Sequence, residues 1–271
     1  MARPKRSPVQ RYHDRVARRY DDMYDDTYWA WHDALTWDHL KVFLPKNQRA
    51  EVIDLGCGTG TWGLKLLHAG YRVTFVDISG AMVERARRKV EAAGRLDRAE
   101  FLSADLCDLR PLPAEHYELA IAMGEPLGCA RTPVQAVRQV ARVLKSGGVL
   151  VATFDNLLAG IEHYLEKGRL DELEAYLQTG KTQWLTRDKA EQFEIHTYSP
   201  AGARKLLAGA GFEIRDIVGK TVLPMRRFRH LLDDPAARRR LLKLEKRSWR
   251  EEAAWGRCSH FQVAARKPPA E

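Results

Sequence analysis

The segment Val52–Gly60 constrains the fold of this chain more than any other. It reads Val-Ile-Asp-Leu-Gly-Cys-Gly-Thr-Gly, an apolar run that ends in an acid and leads into a glycine-rich turn. Such a run predicts a buried strand followed by a turn and a helix, with a ligand bound between the strand end and the N-terminus of that helix. Gly56, Gly58 and Gly60 permit positive φ angles and let backbone N–H groups approach that ligand closely. The sequence therefore predicts an α/β sheet with a cofactor site at the end of this strand.

The residues around this turn restrict the kind of cofactor. A dinucleotide-binding fingerprint places glycine at the sixth position counted from Gly56, where this chain has Thr61. Asp54 lies at the mouth of the strand, where its carboxylate would repel a pyrophosphate and attract an ammonium or sulfonium group. The pattern favours a cationic, amino-acid-like cofactor over NAD.

Two further predicted strands also end in acids. Residues 71–77 end at Asp77, about where a Rossmann-like fold places the carboxylate that binds ribose hydroxyls. Residues 100–105 end at Asp105. Three successive strands thus place a carboxylate at one edge of the sheet. Each feature taken alone is also typical of a simple βα turn or of a helix N-cap.

These motifs resemble those of the class I S-adenosylmethionine-dependent methyltransferases. The resemblance rests on residues 52–60, 76–79, 103–106 and 144–151. It covers roughly residues 10–156, with weaker support from 199–219 and 258–266. It implies S-adenosylmethionine as cofactor and S-adenosylhomocysteine as product. It assigns the methionine part to Asp54, Gly56, Cys57, Gly58 and Gly60, the ribose to Asp77, the adenine to Ala104, Asp105 and Leu106, and further contacts to Ile78, Met123 and Tyr20.

The resemblance implies a Rossmann-like, seven-stranded, mostly parallel α/β sheet with an antiparallel last strand and helices on both faces. The patterns predict strands near 51–55, 72–77, 99–103, 117–122 and 148–154, and helices near 9–20, 28–43, 61–69, 80–93 and 133–144. The family's ending adds strands at 212–218 and 259–266. We expect residues 1–45 to form a helical lid segment on a methyltransferase domain at 46–271.

Two insertions interrupt the end of this domain. Residues 157–197 predict a helical stretch followed by short strands at 181–185 and 192–198. In residues 221–250, Asp234 as N-cap and Pro235 at the first helical position predict the start of a basic amphipathic helix. Both insertions follow strands at the ligand-binding edge, so we expect them to form the acceptor wall.

The methyl acceptor is less well defined. Residues 123–127 lack the Asn/Asp-Pro-Pro-aromatic signature of enzymes that methylate planar amino groups, and lone Cys129 does not match the paired cysteines of cytosine-C5 enzymes. We therefore expect in-line methyl transfer to an O, N, C or S atom of a small molecule. Glu125 and His196 are the candidate bases. The candidate acceptor contacts are Tyr24, Tyr28, Trp31, Glu125 and Asp155.

Each of these residues also has a structural alternative. His196 would then lie on a strand surface, Glu125 would bond within its own loop, and Asp155 would cap the following helix.

The net charge of +9 is unevenly distributed. Residues 1–20 hold seven Arg or Lys against one Asp, and residues 226–250 hold ten against three acids. Runs of this kind attract nucleic acid, although arginines on a helix are usually a solvated face. An RNA methyltransferase is therefore one alternative, and a non-catalytic S-adenosylmethionine-binding protein is another.

The remaining composition predicts neither a metal site nor a membrane anchor. The four cysteines are widely spaced and have no accompanying zinc-ligand pattern. No apolar run approaches the ~20 residues that span a bilayer, and residues 1–6 are not followed by a signal-peptide core. We expect a cytoplasmic protein without a metal.

Overall fold

A computed structural model describes residues 6–183 and 188–269. Within these residues, a seven-stranded sheet forms the centre of the fold. Its strands are β1 (Glu51–Leu55), β2 (Arg72–Asp77), β3 (Ala99–Ser103), β4 (Tyr117–Ala122), β5 (Leu144–Asp155), β8 (Glu213–Lys220) and β9 (His260–Arg266). A separate two-stranded sheet contains β6 (Lys181–Thr182) and β7 (Ile195–His196).

The strand order of the large sheet is β3-β2-β1-β4-β5-β9-β8. The first five strands are parallel, and β9 lies antiparallel between β5 and β8. Consequently β8 runs in the same direction as β5, and its carboxyl end lies at the same edge as the ends of β1, β4 and β5. The Rossmann-like fold that the sequence predicts is confirmed.

Helices cover both faces of the sheet. They are α1 (Pro8–Val16), α2 (Thr27–Leu40), α3 (Thr61–His68), α4 (Gly80–Ala92), α5 (Pro126–Cys129), α6 (Pro133–Val143), α7 (Gly160–Glu166), α8 (Leu170–Thr179), α9 (Pro200–Ala208), α10 (Pro235–Ser248) and α11 (Glu252–Trp255). Apolar residues of α6 and α9 pack on one face, and those of α3 and α4 pack on the other. The side chains of Ser7, Asp26, Ser79, Ser199 and Asp234 cap the helices that follow them.

Three segments outside the core close over the carboxyl edge of the sheet. Helix α1 packs against α4 and against Phe193 and Ile195 of the first insertion. Helix α2 packs against the second insertion through Trp31, Met225 and Trp249. The predicted lid segment and both predicted insertions therefore meet at this edge.

Several element bounds differ from the prediction. Helix α1 ends at Val16, and a separate 3₁₀ turn at Asp22–Tyr24 precedes α2. Strand β5 begins at Leu144 because that residue already pairs with Tyr117. The short strands of the first insertion contain two residues each, and residues 184 and 185 of the predicted 181–185 strand lie outside the described chain.

In residues 6–183 and 188–269, no helix combines the length and the apolar character needed to cross a membrane.

Asn156 joins the end of β5 to the chain that enters β9. Its side chain is 1% exposed, and its Nδ2 atom donates to the carbonyl oxygens of Trp255 and Cys258, each at 2.7 Å. Its Oδ1 atom accepts from the N–H of Leu158 at 3.2 Å. One amide thus satisfies three backbone groups in the segments that follow β5 and precede β9.

We expect Asn156→Ala to lower the free energy of unfolding by about 2–3 kcal/mol, because it leaves buried backbone groups without partners. Urea unfolding measures this change. Asn47→Ala is the control, since the exposed Asn47 side chain bonds, among the described residues, only to the N–H of Arg49, and we expect a change within about 0.5 kcal/mol. Equal losses in the two variants would contradict the prediction.

Candidate active site

The candidate site is a cavity of about 1650 Å³ at the carboxyl edge of the sheet. Ordinary ligand pockets have volumes of about 300–1,000 Å³, so this cavity has room for a cofactor and an acceptor side by side. It extends from the glycine turn after β1 to the ends of β5, β8 and β9. Its other walls include the turn before α2, α2 itself, helix α7, the segment after β8 and the residues just before β9.

The glycine turn needs its glycines for two different reasons. A Cβ on Gly56 would lie 2.3 Å from Cβ of Pro126, and one on Gly60 would lie 2.8 Å from Cβ of Ala86. Close packing therefore excludes side chains at these two positions. A Cβ on Gly58 would meet only the ring of Tyr20, at 3.7 Å, so Gly58 is required mainly by its φ of +53°.

Two buried carboxylates lie behind this turn. Asp54 is 1% exposed, its Oδ2 atom accepts from the N–H of Gly63 at 2.8 Å, and burial raises its pKa to about 7. Asp77 accepts from the N–H groups of Gly58 and Ser79 at 2.9 and 2.8 Å. Burial also raises the pKa of Asp77. A positive charge bound nearby would therefore stabilise the ionised form of both carboxylates.

The residues expected to hold the adenine lie beside the cavity and do not line its wall. Asp105 accepts from the N–H of Cys107 at 2.8 Å, and Leu106 is buried in the core. Ala104 and Ile78 flank the ends of β3 and β2. Helix α1 covers this side, because the hydroxyl of Ser79 donates to Asp14 at 2.6 Å.

The aromatic wall consists of Tyr20, Tyr24, Tyr28 and Trp29. The ring centroids of Tyr20 and Tyr24, and those of Tyr24 and Trp29, are 5.0 Å apart. Trp31 does not belong to this wall, which corrects the sequence expectation. It is fully buried in a cluster with Met225 and Trp249 of the second insertion.

His196 is also misplaced for its expected role as a base. In the two-residue strand β7, Ile195 lines the cavity and His196 projects to the other side, as alternate strand residues do. The Nε2 atom of His196 lies 3.3 Å from a carboxylate oxygen of Glu194. The geometry corresponds to the strand-surface alternative.

Glu125 does line the cavity, directly after β4. Its φ of +60° is unusual for a residue with a side chain. The hydroxyl oxygen of Thr153 accepts from the N–H groups of Gly124 and Glu125 at 2.9 and 3.1 Å and thereby holds this conformation. Met123, Cys57 and Asp155 line the same cavity.

A row of polar groups continues from Glu125 along the sheet edge. Asp155 is in register with His260, and His260 is in register with Lys220. One carboxylate oxygen of Glu125, one of Asp155 and one ring nitrogen of His260 all lie within 4.8 Å of one another. The sequence analysis missed His260, Lys220 and the nearby His32. Lys220 ends β8 and His260 begins the antiparallel β9. A search for basic residues at strand ends, in addition to acids, could have found these two.

The fold and the site together define a cofactor-dependent group-transfer protein of the Rossmann-like class, and comparison with known proteins makes this specific. A family model described as a methyltransferase domain matches residues 52–148. The tRNA 5-carboxymethoxyuridine methyltransferase of Escherichia coli (strain K12) is 28% identical over 265 residues, which cover 94% of this chain and 95% of that protein. The 27-O-demethylrifamycin SV methyltransferase of Amycolatopsis mediterranei (strain S699) is 29% identical over 182 residues, with coverages of 62% and 66%.

A solved structure is similar over nearly the whole chain. It is the putative methyltransferase of Haloferax volcanii in complex with the Trm112 methyltransferase activator. The TM-score is 0.63 at 20% identity, and the match covers 97% of this chain and 99% of that one. This likeness supports the fold.

The chain belongs to the class I S-adenosylmethionine-dependent methyltransferases. It is a methyltransferase, and S-adenosylmethionine is its cofactor.

We expect the affinity for S-adenosylhomocysteine to rise about tenfold from pH 6 to pH 8. The pKa of Asp54 is about 7 in the free protein, and a cationic amino group favours the ionised carboxylate, so binding strengthens as Asp54 loses its proton. Calorimetry at several pH values measures the slope. Asp54→Asn has no charge to titrate and should bind weakly with a flat profile. The same slope in Asp54→Asn would assign the titration to another group.

Proposed function

We propose that this enzyme methylates a carboxylate group on a modified uridine of tRNA. The supporting observation is the extent of the similarity to the Escherichia coli tRNA 5-carboxymethoxyuridine methyltransferase. The family model ends at residue 148, whereas that similarity covers 94% of the chain. It therefore includes most of the lid segment and of the two insertions, which build the acceptor wall here. This proposal puts the RNA alternative ahead of a free small molecule.

The residues present fit the cofactor. The turn at Gly58 is open toward the cavity, and two buried carboxylates stand behind it. We assign the methionine part to Asp54, Cys57 and the three turn glycines, and the ribose to Asp77. Ile78, Ala104, Asp105 and Leu106 would take the adenine once α1 moves aside, with Met123 between donor and acceptor. When bound, S-adenosylmethionine supplies an activated methyl group.

The cavity also suits a planar, anionic acceptor. Tyr24 and Trp29 offer aromatic surfaces, and proteins that bind unpaired bases stack them on such side chains. A carboxylate is already ionised at neutral pH, so its methylation needs no base. This agrees with the outward position of His196. We assign Glu125 and Asp155 the role of accepting hydrogen bonds from N–H or O–H groups of the acceptor.

We propose that residues 1–45 act as a lid over the cofactor. In the described part of this segment, Asp21 accepts hydrogen bonds from the hydroxyl of Thr59 at 2.5 Å and from the ammonium of Lys89 at 2.8 Å. These contacts hold Tyr20 over the glycine turn and exclude water from the site.

A basic surface near the cavity would bind the tRNA backbone. Arg226 and Arg227 line the cavity, and Arg239, Arg240 and Lys243 are exposed on α10. Phosphate contacts supply much of the affinity of such enzymes and make it depend on salt.

A free small molecule remains the second candidate. The similarity to the 27-O-demethylrifamycin SV methyltransferase favours it, as does the size of the cavity.

Methylation of tRNA tests the proposal directly. We expect tRNA that carries 5-carboxymethoxyuridine to gain one methyl group, measured by mass spectrometry of its nucleosides, while tRNA without this nucleoside stays unchanged. The triple variant Arg239→Gln, Arg240→Gln, Lys243→Gln should raise KM for tRNA severalfold and flatten its salt dependence by up to about 2 in slope. It should leave turnover of the free nucleoside intact.

The matched control is Arg88→Gln, Arg95→Gln, Arg110→Gln, which removes the same charge from exposed residues on the β3 side of the sheet. We expect it to behave like the unsubstituted enzyme. An enzyme that leaves the tRNA unmethylated under these conditions would contradict the proposal.

A further inference from the structure

Lys220 is a buried lysine whose ammonium group has one hydrogen-bond partner among the described residues. It is 1% exposed, yet it lines the cavity. Its Nζ atom donates to the hydroxyl of Thr36 at 3.0 Å, and no carboxylate oxygen of the described residues lies within 4.0 Å of it. An ammonium group has three N–H donors. Two donors therefore remain available to a ligand in the cavity.

Two buried histidines lie near Lys220, and each has a carboxylate near one ring nitrogen: Nδ1 of His32 is 3.7 Å from Asp33, and Nε2 of His260 is 3.4 Å from Asp155. His32 and His260 are each 7% exposed, both line the cavity, and their ring centroids are 5.2 Å apart. Both ring nitrogens of His32 and Nδ1 of His260 are buried without a hydrogen-bond partner among the described residues. Burial, together with the charge of Lys220, lowers the pKa of His32 well below its usual value. His32 is therefore neutral and offers one N–H donor.

The chain is bent sharply to place Lys220 here. Thr221 has a φ of +65°, which is strained for a β-branched residue. Its hydroxyl donates to the carbonyl oxygen of Lys220 and accepts from the N–H of Ser259 at 3.1 Å. The buried carboxylate of Glu245 on α10 accepts from the N–H groups of Val222 and Leu223 at 2.6 and 2.9 Å. Strain that is held in place by such contacts is typical of binding sites.

The acids near Lys220 affect the pKa of its ammonium group by electrostatic attraction, without a direct hydrogen bond. Burial lowers the pKa of its ammonium, and Glu125 opposes this shift more than Asp33 or Asp155 does. Lys220 and Glu125 line the same cavity. None of these acids bonds to it.

We propose that Lys220, assisted by His32 and His260, is a subsite for an anionic oxygen group of the acceptor, either a carboxylate or a phosphate. Paired donors of this kind hold an anion strongly because hydrogen bonds to charged groups are shorter and stronger than neutral ones. A buried anion would in turn satisfy the free donors of the site. The inference rests on the proposed function for the nature of the acceptor, but it does not depend on turnover.

Binding to the protein loaded with S-adenosylhomocysteine tests the subsite. The probes are 5-carboxymethoxyuridine, uridine 5′-monophosphate and uridine, measured by calorimetry. We expect Lys220→Met to weaken binding of 5-carboxymethoxyuridine at least tenfold and to leave uridine unaffected. A selective loss for uridine 5′-monophosphate instead would assign the subsite to a phosphate. Unchanged affinity for both anions would overturn the proposal.

Stability separates a binding role from a structural one. Removal of an unpaired buried charge should keep or raise the melting temperature of Lys220→Met. Lys145→Met is the control, since Lys145 pairs with Glu118 at the opposite edge of the sheet, and it should bind all three probes normally. A Lys220→Met protein that melts earlier and binds both anions as before would show a structural lysine.

The two proposals can fail separately. If tRNA is not methylated but Lys220→Met still loses an anion, the subsite stands and the proposed acceptor is wrong. If tRNA is methylated and the variant binds both anions as before, only the subsite is wrong.

Discussion

Burial of ionisable groups at one edge of the sheet is the constraint on which this site depends. Asp54, Asp77 and Lys220 are each at most 6% exposed, and none of them has an ion-pair partner within 4.0 Å among the described residues. A buried charge without a partner carries a desolvation cost. Binding of a ligand of opposite charge would offset that cost for each of these groups. The two acids lie behind the glycine turn after β1, and the lysine lies at the carboxyl end of β8. Acidic and basic groups are thus separated along the edge of the sheet.

Strand direction brings these groups together from distant parts of the chain. Parallel β1, β2, β4 and β5 all end at the same edge. Because β9 is antiparallel, its first residue, His260, lies at that edge, and the last residue of β8 does so as well. Reversal of β9 therefore adds a histidine from the start of one strand to acids from the ends of others. The hydrogen bonds of Asn156 and Glu245 fix the loops that follow, so the row of polar groups has a rigid support.

The sequence predicts the strands better than it predicts the side chains that face the cavity. The bounds of β1, β2, β3 and β4 agree with the prediction because each strand is a short apolar run between turn residues. The buried face of α2 could not be predicted in the same way. Its aromatic and apolar residues occur all around the helix, so Trp29 and Trp31 look equivalent until tertiary packing buries one of them.

The histidines show the same limit. His196 stands in a segment with strand-like alternation, but the face that it occupies depends on a pairing of only two residues. His32, His260 and Lys220 have no local motif, and their relation arises from the register of β5, β9 and β8 together with the packing of α2. A sequence search limited to acids at strand ends finds the proposed cofactor side of the site and misses the proposed acceptor side.

The proposed acceptor side carries features that stability alone does not explain. Thr221 is strained, Lys220 is buried with one hydroxyl partner, and His32 has no hydrogen-bond partner among the described residues. A hydrophobic residue at position 220 would remove the desolvation cost of the ammonium, and a glycine at 221 would relieve the strain. Functional sites commonly retain such costs because a ligand, rather than the protein itself, satisfies the groups involved. The polar end of this cavity is therefore better explained by what it binds than by what it stabilises.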